Sequence, residues 1–551
     1  MNGGALAEFG LPTPPAAPFE GRANGSLEAQ ELNRYDVEKQ QLFVHTNVPM
    51  LNLQQRSIYD AVMHAVQNSA AAANLGHNLF FVDGLGGTGK TFLYNTLLAS
   101  VRCTQHIALS VASSGIAAVL LDGGRTAHSR FRIPVDGLSS TSTCSISGNS
   151  DMANLIRACS LIVWDEAPMT HRHAYEAVDR TFRFIMGLDN AAAEHVPFGG
   201  KVVVLGGDFR QCLPVVLKGS RGDVVRAALK RSSQLWPHVQ VMPLHVNMRV
   251  QRLLADGLPA AEQQAFADLL QRIGEGREPV HPQYGEDHIR LPVEWCRDSA
   301  GRMFTSKEQL ITEIYGALPN ITSDAERCSF ISERCILTVT NAVVDDLNQT
   351  IQDMCGHVPG VPHLDQRVYL SVDEVADESN QMFPSEFLNC ITPPGMPPHS
   401  LVLKVGSPIM LLRNMSNGLV NGTRLIVRQL QPHVIDAEVS SGPSAGTRVF
   451  LPRFALIAGD SKLPFKLKRR QFPVRLAYAM TINKSQGQTM AKVGLYLPHP
   501  AFSHGQLYVA LSRVGCSNAI KVFVVDGTHP GPGSELAMYT ANVVFTEIFC
   551  N

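Results

Sequence analysis

A glycine-rich stretch at residues 84–91 ends in a lysine and a threonine, the pattern of a phosphate-binding loop. The glycines let backbone N–H groups surround phosphate oxygens where a Cβ would clash. Lys90 would reach the β- and γ-phosphates, and the Thr91 hydroxyl would hold Mg²⁺. A chance glycine-rich turn is the alternative, but an apolar strand before the loop and a helix after it argue against that. We therefore predict a nucleotide site at Gly84, Leu85, Gly86, Gly87, Thr88, Gly89, Lys90 and Thr91.

Two further strand ends carry the side chains that such a loop needs. The apolar run 161–164 is followed by Asp165 and Glu166. Asp165 would hold Mg²⁺ through water, and Glu166 would polarise the attacking water. After the buried run 202–205, Gln211 could sense the γ-phosphate or orient that water. A surface Asp-Glu pair is the alternative for the first of these sites.

Gln55 lies just ahead of the phosphate loop, at the start of an amphipathic helix. Its amide can both donate to and accept from an adenine edge. The alternative is a solvated glutamine.

A second group of polar residues follows the β-rich run 106–111. Ser114 lies in a small polar loop, and Thr126, His128 and Phe131 follow it. Such loops present ligand-binding groups at the edge of a parallel sheet. The hydroxyls, His128 and Arg130 could contact a phosphate backbone, and Phe131 could stack on a base. A turn with a satisfied histidine is the alternative.

Composition narrows the class of protein. The 551 residues predict several domains, and a net charge of −1 means that any nucleic-acid binding uses a local groove. The 11 cysteines lack metal-site spacing, which indicates reduced thiols inside a cell. No apolar run approaches the ~20 residues of a membrane span. The basic cluster 466–470 is either a solvated loop or a DNA-facing surface.

Strand-helix alternation occurs in two series, which predicts an α/β protein with parallel sheets covered by helices on both faces. Only the first series holds a phosphate loop. ATP would therefore bind to the first unit, and Arg249 and Arg513 from the second unit would complete the ATP site. An arginine of this kind neutralises transition-state charge and couples domain closure to ATP, as in a motor.

The ordered motifs resemble the Pif-one family of DNA helicases, in superfamily 1B, from about Leu51 to Val525. Residues 387–389 and 406–414 look most like its transposon-associated (Helitron-like) and plant or oomycete-type members. The stretches that carry the family resemblance are 51–55, 84–91, 113–118, 124–129, 165–166, 207–211, 247–249, 482–489 and 508–513.

The resemblance implies an ATP- and Mg²⁺-dependent helicase that moves 5′ to 3′ on single-stranded DNA. Gln55 would read adenine, and Arg249 and Arg513 would be arginine fingers. Thr126, His128, Ser485 and Gln486 would lie near the DNA or couple it to ATP. The domains expected are a disordered tail at 1–40, RecA-like motor domain 1 at 41–240, motor domain 2 at 241–400 and 471–551, and an SH3-like β insertion at 401–470.

The same resemblance implies single-stranded and forked DNA as partners, a monomeric motor, and a role in DNA repair, recombination or telomere maintenance. The nucleus is the expected location, with the mitochondrion as the alternative. Three other readings stay open: a DNA-stimulated translocase that does not unwind duplex, a transposon-derived DNA-binding protein without turnover, and an RNA-directed helicase.

Overall fold

The computed structural model describes residues 25–68, 78–257, 260–281, 283–354, 366–376, 383–415, 419–442, 444–459, 463–530 and 536–550. The turn predicted at 416–418 lies outside these ranges, as do residues 1–24 of the predicted tail. The described helices are all too short or too polar to cross a membrane.

Two short helices precede the first α/β domain: α1 (Leu27–Leu32) and α2 (Val37–Asn47). The side chain of Ser26 caps α1 by accepting from the N–H of Ala29, and Asp36 caps α2 in the same way. The predicted disorder is therefore wrong for residues 27–40. Capping side chains and packing on the next domain stabilise these helices, and composition alone does not show either.

The first α/β domain is built on a parallel sheet of six strands, in the order β3-β2-β4-β5-β1-β6. Apolar cores lie on both of its faces, because neighbours such as Phe80 and Phe81 point to opposite sides. The predicted parallel sheet with helices on both faces is confirmed. Its elements are α3 (Leu53–Asn68), β1 (Leu79–Gly84), α4 (Lys90–Arg102), β2 (Ile107–Ala112), α5 (Gly115–Leu120), β3 (Arg125–Thr126), α6 (Ala127–Phe131), α7 (Asp151–Ala158), β4 (Cys159–Asp165), α8 (Arg172–Gly187), β5 (Val202–Gly207), α9 (Arg221–Ala227) and β6 (Gln240–Leu244).

Strand β6 pairs in parallel with β1, so this domain continues past the predicted boundary at residue 240. The chain then enters the second α/β domain. Helix α10 (Met248–Ala255) lies before this junction, against the first domain, because the N–H of Met248 donates to the carbonyl of Gly87. The first elements of the second domain are α11 (Ala261–Gly274), β7 (His288–Arg290), α12 (Lys307–Tyr315), α13 (Asp324–Ser332), β8 (Arg334–Thr338) and α14 (Asn341–Met354).

A β region interrupts the second domain. It is wider than the predicted insertion 401–470, because β9 pairs with β11 and β18 closes a five-stranded sheet against β12. Its elements are β9 (Gln366–Leu370), β10 (Val372–Val375), α15 (Ser385–Cys390), β11 (Ser400–Lys404), β12 (Pro408–Leu411), β13 (Arg424–Leu430), β14 (Val434–Val439), β15 (Arg448–Pro452), β16 (Phe454–Ile457), β17 (Leu467–Gln471) and β18 (Val474–Leu476).

The basic cluster at residues 466–470 lies largely on β17, and two of its charges are already paired. Arg469 is fully buried in an ion pair with the equally buried Asp373, 2.6 Å apart. Lys468 pairs with Glu374. The interpretation as a loop is therefore wrong, because alternate residues of a strand face the interior.

The second domain resumes with a parallel sheet in the order β19-β8-β20-β21. The chain then returns to the first domain, where Phe545 and Ile548 join the apolar core. Assigning all of 471–551 to the second motor half is therefore wrong at the C-terminal end. The remaining elements are β19 (Ala479–Thr481), β20 (Lys492–Leu497), α16 (Gln506–Leu511), β21 (Ile520–Val524), β22 (Thr528–Pro530) and β23 (Leu536–Ala541).

Candidate active site and DNA interface

The phosphate loop connects β1 to α4. Gly87 and Gly89 have φ of +88° and +80°, a region that side chains with a Cβ rarely adopt. A Cβ on Gly89 would also lie 2.5 Å from Nε2 of Gln55. Lys90 folds over the loop, where its Nζ donates to the carbonyl of Gly84 at 2.5 Å. Thr91 follows in the first turn of α4, half-buried. The loop thus has the conformation that backbone phosphate binding needs.

The acidic pair ends β4 beside this loop. Glu166 has left-handed backbone angles (φ 53°, ψ 39°), and its N–H donates to Oδ1 of Asp165 at 2.8 Å. Burial and the Asp165 carboxylate raise the pKa of Glu166 to about 7, while Lys90 and Arg513 act in the opposite direction. Burial also raises the pKa of Asp165. Both carboxyls therefore lie within the field of Lys90.

Gln55 is fully buried beneath the loop. Its Nε2 donates to the carbonyl of Thr88 at 3.1 Å, and its Oε1 accepts from the N–H of Asn52 at 3.1 Å. The structure therefore shows Gln55 supporting the phosphate loop, while adenine recognition stays a prediction.

Arg249 lies on α10, directly after the last strand of the first domain. The prediction that it comes from the second unit is wrong, because β6 belongs to the first sheet. Its guanidinium nevertheless bridges the cleft. A Cβ on Gly87 would lie 3.6 Å from its Nε, and its Nη1 donates to the carbonyl of Val514 in the second domain at 3.3 Å.

Arg513 follows α16 and does come from the second domain. It is buried, and its Nε donates to the carbonyl of Val509 at 2.8 Å. Its Nη groups donate to the Gln488 carbonyl and to the Ser512 hydroxyl. Because its charge lowers the pKa of Glu166, it acts on the acidic pair across the cleft.

Two direct side-chain contacts also join the domains. Nε2 of Gln486 donates to Oε1 of Gln211 at 2.9 Å. The Tyr508 hydroxyl donates to Oδ2 of Asp208 at 2.7 Å, and the Asp208 carbonyl accepts from the N–H of Gln211. Neither Tyr508 nor Asp208 has a role predicted from the sequence, although each lies in a stretch that carries the family resemblance.

Of the residues predicted to contact DNA, Ser114, Thr126 and His128 lie at helix starts on the carboxyl edge of the first sheet. The Ser114 hydroxyl caps α5, and Thr126 immediately precedes α6, on which His128 is half-buried. The neighbouring Ser113 N–H donates to the carbonyl of Asp165 at 3.1 Å. This hydrogen bond connects the polar loop to the strand that carries the acidic pair.

Two side chains differ from the predictions, and for a third, Ser485, only the predicted coupling of DNA to ATP stays a prediction. Phe131 is fully buried, with its ring centroid 5.4 Å from that of Phe182, so base stacking by Phe131 is wrong. Arg130 is 3% exposed and pairs with Glu31, so it does not contact a phosphate backbone. Ser485 is also buried, and its hydroxyl donates to the carbonyl of Ile482 at 2.7 Å. Phe131 packs in the apolar core because burying an aromatic ring is favourable.

A cavity of about 180 Å³ lies where helix α5, the β region and the second domain meet. The packing there is close: a Cβ on Gly115 would lie 2.8 Å from that of Val420, and one on Gly422 would lie 2.7 Å from Ile116. Gly487 and Gln488 line the same cavity from the second domain. Three parts of the fold thus surround one cavity, and Ser114, a predicted DNA contact, precedes the Gly115 that packs beside it.

Comparisons with known proteins agree with this geometry. Residues 50–283 match the model of the PIF1-like helicase family, and residues 386–430 match that of the 2B domain of DNA helicase Pif1. The ATP-dependent DNA helicase PIF1 of Danio rerio is 26% identical over 516 residues, which cover 92% of this chain and 66% of that protein. The chain thus spans slightly less than two thirds of this relative's length.

Two solved structures show the same fold. Pif1 helicase from Bacteroides in complex with ADP-AlF3 and single-stranded DNA has a TM-score of 0.55 at 23% identity, covering 86% of this chain and 92% of that one. A structure of two coordinating Pif1 helicases unwinding forked double-stranded DNA has a TM-score of 0.56 at 23% identity, with coverages of 86% and 91%. The predicted pair of RecA-like domains is confirmed.

Proposed function

We propose that this chain is a PIF1-like helicase, an ATP-dependent enzyme that moves 5′ to 3′ on single-stranded DNA; the match of residues 50–283 to the family model and the likeness to the Danio rerio helicase support this. The observation that carries the proposal is the shared cleft. Lys90, Asp165 and Glu166 come from the first domain, and the charge of Arg513 acts on Glu166 from the second. A cleft of this kind ties hydrolysis to domain movement.

In this proposal Lys90 and the loop N–H groups bind the ATP phosphates. The Thr91 hydroxyl and the Asp165 carboxylate are hard oxygen ligands that suit Mg²⁺; they would hold this ion, which would supply charge neutralisation for the phosphates. Glu166 accepts a proton from water, which its raised pKa favours near neutral pH. Gln211 orients that water, and Arg249 and Arg513 neutralise developing charge.

The DNA would run past Ser114, Thr126 and His128, close to the cavity between the three regions. Gln211 and Gln486 touch across the domain boundary, so ATP-driven closure would shift one DNA contact surface relative to the other. Parting one duplex step costs on average about 1.4 kcal/mol of stacking, an amount suited to small steps.

The finer assignments rest on sequence patterns. Residues 387–389 and 406–414 favour a Helitron-like or plant-type subgroup. Forked DNA is the proposed substrate because the solved relative acts there. We take the motor to be monomeric, to act in DNA repair or recombination, and to work in the nucleus or the mitochondrion.

The test is ATP hydrolysis with and without single-stranded DNA, for the parent chain, Lys90→Ala and Glu166→Gln. Strong stimulation that both substitutions abolish supports the proposal. Activity that persists in Lys90→Ala would refute the phosphate loop. A forked duplex with a 5′ tail should be unwound and one with a 3′ tail should not. Hydrolysis without unwinding would indicate a translocase instead.

A further inference from the structure

The N-terminal strap, as we call residues 25–47, packs on the first α/β domain. Helix α2 lies along α4, and α1 lies against α7 and β2. The strap precedes residue 50, where the family match begins. It therefore adds to the motor domain a layer that the family motifs do not include.

A buried ion pair joins the strap to the DNA-side loop. Oε2 of Glu31 lies 3.4 Å from both Nη1 and Nη2 of Arg130, and the two side chains are 8% and 3% exposed. The Tyr35 hydroxyl donates to Oε1 of the same glutamate at 3.2 Å. A guanidinium stays charged in proteins, so a buried arginine requires such a countercharge.

Arg130 belongs to α6 (Ala127–Phe131), the helix that presents the candidate DNA contacts. Thr126 is the cap residue of this five-residue helix, and His128 lies on it. A helix this short has little stability of its own, so its position depends on anchors to the rest of the molecule. Glu31 is the charged anchor at its C-terminal end.

The strap also contacts the turn that leads into α6. Gly123 has φ of +67°, and a Cβ there would lie 1.9 Å from the Tyr35 hydroxyl. Nε2 of Gln40 donates to Oδ2 of Asp122 at 3.3 Å. The Tyr35 ring is itself held by Arg102, whose guanidinium carbon lies 3.9 Å from the ring centroid. The strap thus contacts both ends of residues 122–130.

We propose that Glu31 is a positioning residue for DNA binding, because the strap holds α6 so that Thr126 and His128 face the single strand. This inference rests on the proposed function. The strap thus increases the affinity of the motor for DNA, while ATP binding and hydrolysis depend on residues elsewhere.

The test uses the full chain with Glu31→Gln, and Glu28→Gln in the same helix as the matched control. The DNA concentration that half-maximally stimulates ATP hydrolysis should rise about tenfold in Glu31→Gln, because Arg130 loses its buried partner. Its maximal rate, its KM for ATP and its DNA-free hydrolysis should stay within about twofold of the parent. Glu28→Gln should match the parent in every measurement.

Tyr35→Phe keeps the ring on Arg102 but removes one hydrogen bond to Glu31, so it should raise the half-maximal DNA concentration about threefold. It decides the matter if Glu31→Gln does not fold. An unchanged half-maximal concentration, or a fall in maximal rate alone, would show that the strap only stabilises the fold and would overturn the inference. A parent chain that DNA does not stimulate would overturn the proposed function itself.

Discussion

Single glycines set the shape of the phosphate loop. Gly89→Ala is expected to lower the free energy of unfolding by about 1–3 kcal/mol, since its left-handed φ costs a side chain about 1–2 kcal/mol and its Cβ would press on Gln55. Denaturant unfolding without nucleotide measures this. Gly86→Ala is the control, because a Cβ there meets nothing described within 4 Å. Equal losses in the two variants would contradict the argument.

Tyr508 acts on the same scale, as a positioning residue across the domain boundary. Tyr508→Phe leaves a buried carboxylate oxygen of Asp208 without its donor, and Asp208 positions the backbone of Gln211. A hydrogen bond to a charged group contributes about 1.5–3 kcal/mol, so DNA-stimulated hydrolysis should fall about tenfold or more.

The control for that variant is Tyr59→Phe, which removes a hydroxyl contact to Ser100 inside the first domain. It should leave the maximal rate nearly unchanged. If DNA-stimulated hydrolysis falls by the same factor in Tyr508→Phe and Tyr59→Phe, the Tyr508 hydroxyl does not couple the domains.

At the scale of elements, the segment before α16 carries a histidine that favours the neutral form. His504 donates through Nε2 to the carbonyl of Phe209, and its Nδ1 accepts from the N–H of Phe545. Burial lowers its pKa to about 4, although Asp208 and Glu547 oppose the shift and Arg221 reinforces it.

Because the pKa of His504 is lower in the folded state, its stabilising contribution is complete above pH 6.5 and is lost as pH falls from 6.5 towards 4. The loss between pH 7.5 and 5.5 should be about 1 kcal/mol. His504→Gln keeps a donor for the Phe209 carbonyl and cannot titrate. The difference in the free energy of unfolding between pH 7.5 and 5.5 should therefore be about 1 kcal/mol smaller in this variant than in the parent. An identical pH dependence would exclude His504 as the cause.

The C-terminal segment is the element that ties the chain back to its first domain. Ile548 is fully buried in that core, and Glu547 pairs with Arg221. Ile548→Ala should lower the free energy of unfolding by about 2–5 kcal/mol. Phe502→Ala, at a side chain that is 66% exposed, should change it by less than about 1 kcal/mol. A small effect of Ile548→Ala would mean that the segment is a dispensable tail.

For the whole molecule, a net charge of −1 means that the proposed DNA binding would use local contacts. The logarithm of the association constant for single-stranded DNA should fall linearly with the logarithm of the salt concentration. The slope should be about −0.7 for each phosphate that the protein contacts. Fluorescence anisotropy at several salt concentrations measures this slope. ATP hydrolysis without DNA, followed over the same salt range, is the control for damage to the fold. A slope near zero would contradict a groove that grips the phosphate backbone.

The sequence alone determined the α/β class, the phosphate loop and the acidic pair, because each depends on local spacing. The glycines at residues 84–89 act together within one loop, and the two carboxylates are neighbours at the end of one strand. The same logic placed Ser114 in a polar loop after a strand, and in the structure its hydroxyl caps α5.

Only the tertiary structure decided the features that depend on residues far apart in the chain. Phe131 is equally suited to a base or to a core, and its burial against Phe182 settled the choice. The order of the motifs predicted Arg249 in the second unit, but β6, which directly precedes its helix, pairs with β1 of the first sheet. The Glu31–Arg130 pair joins residues 99 positions apart. No sequence pattern over a few residues predicts such a contact, because the free energy of burying a charge depends on which partner the fold brings to it.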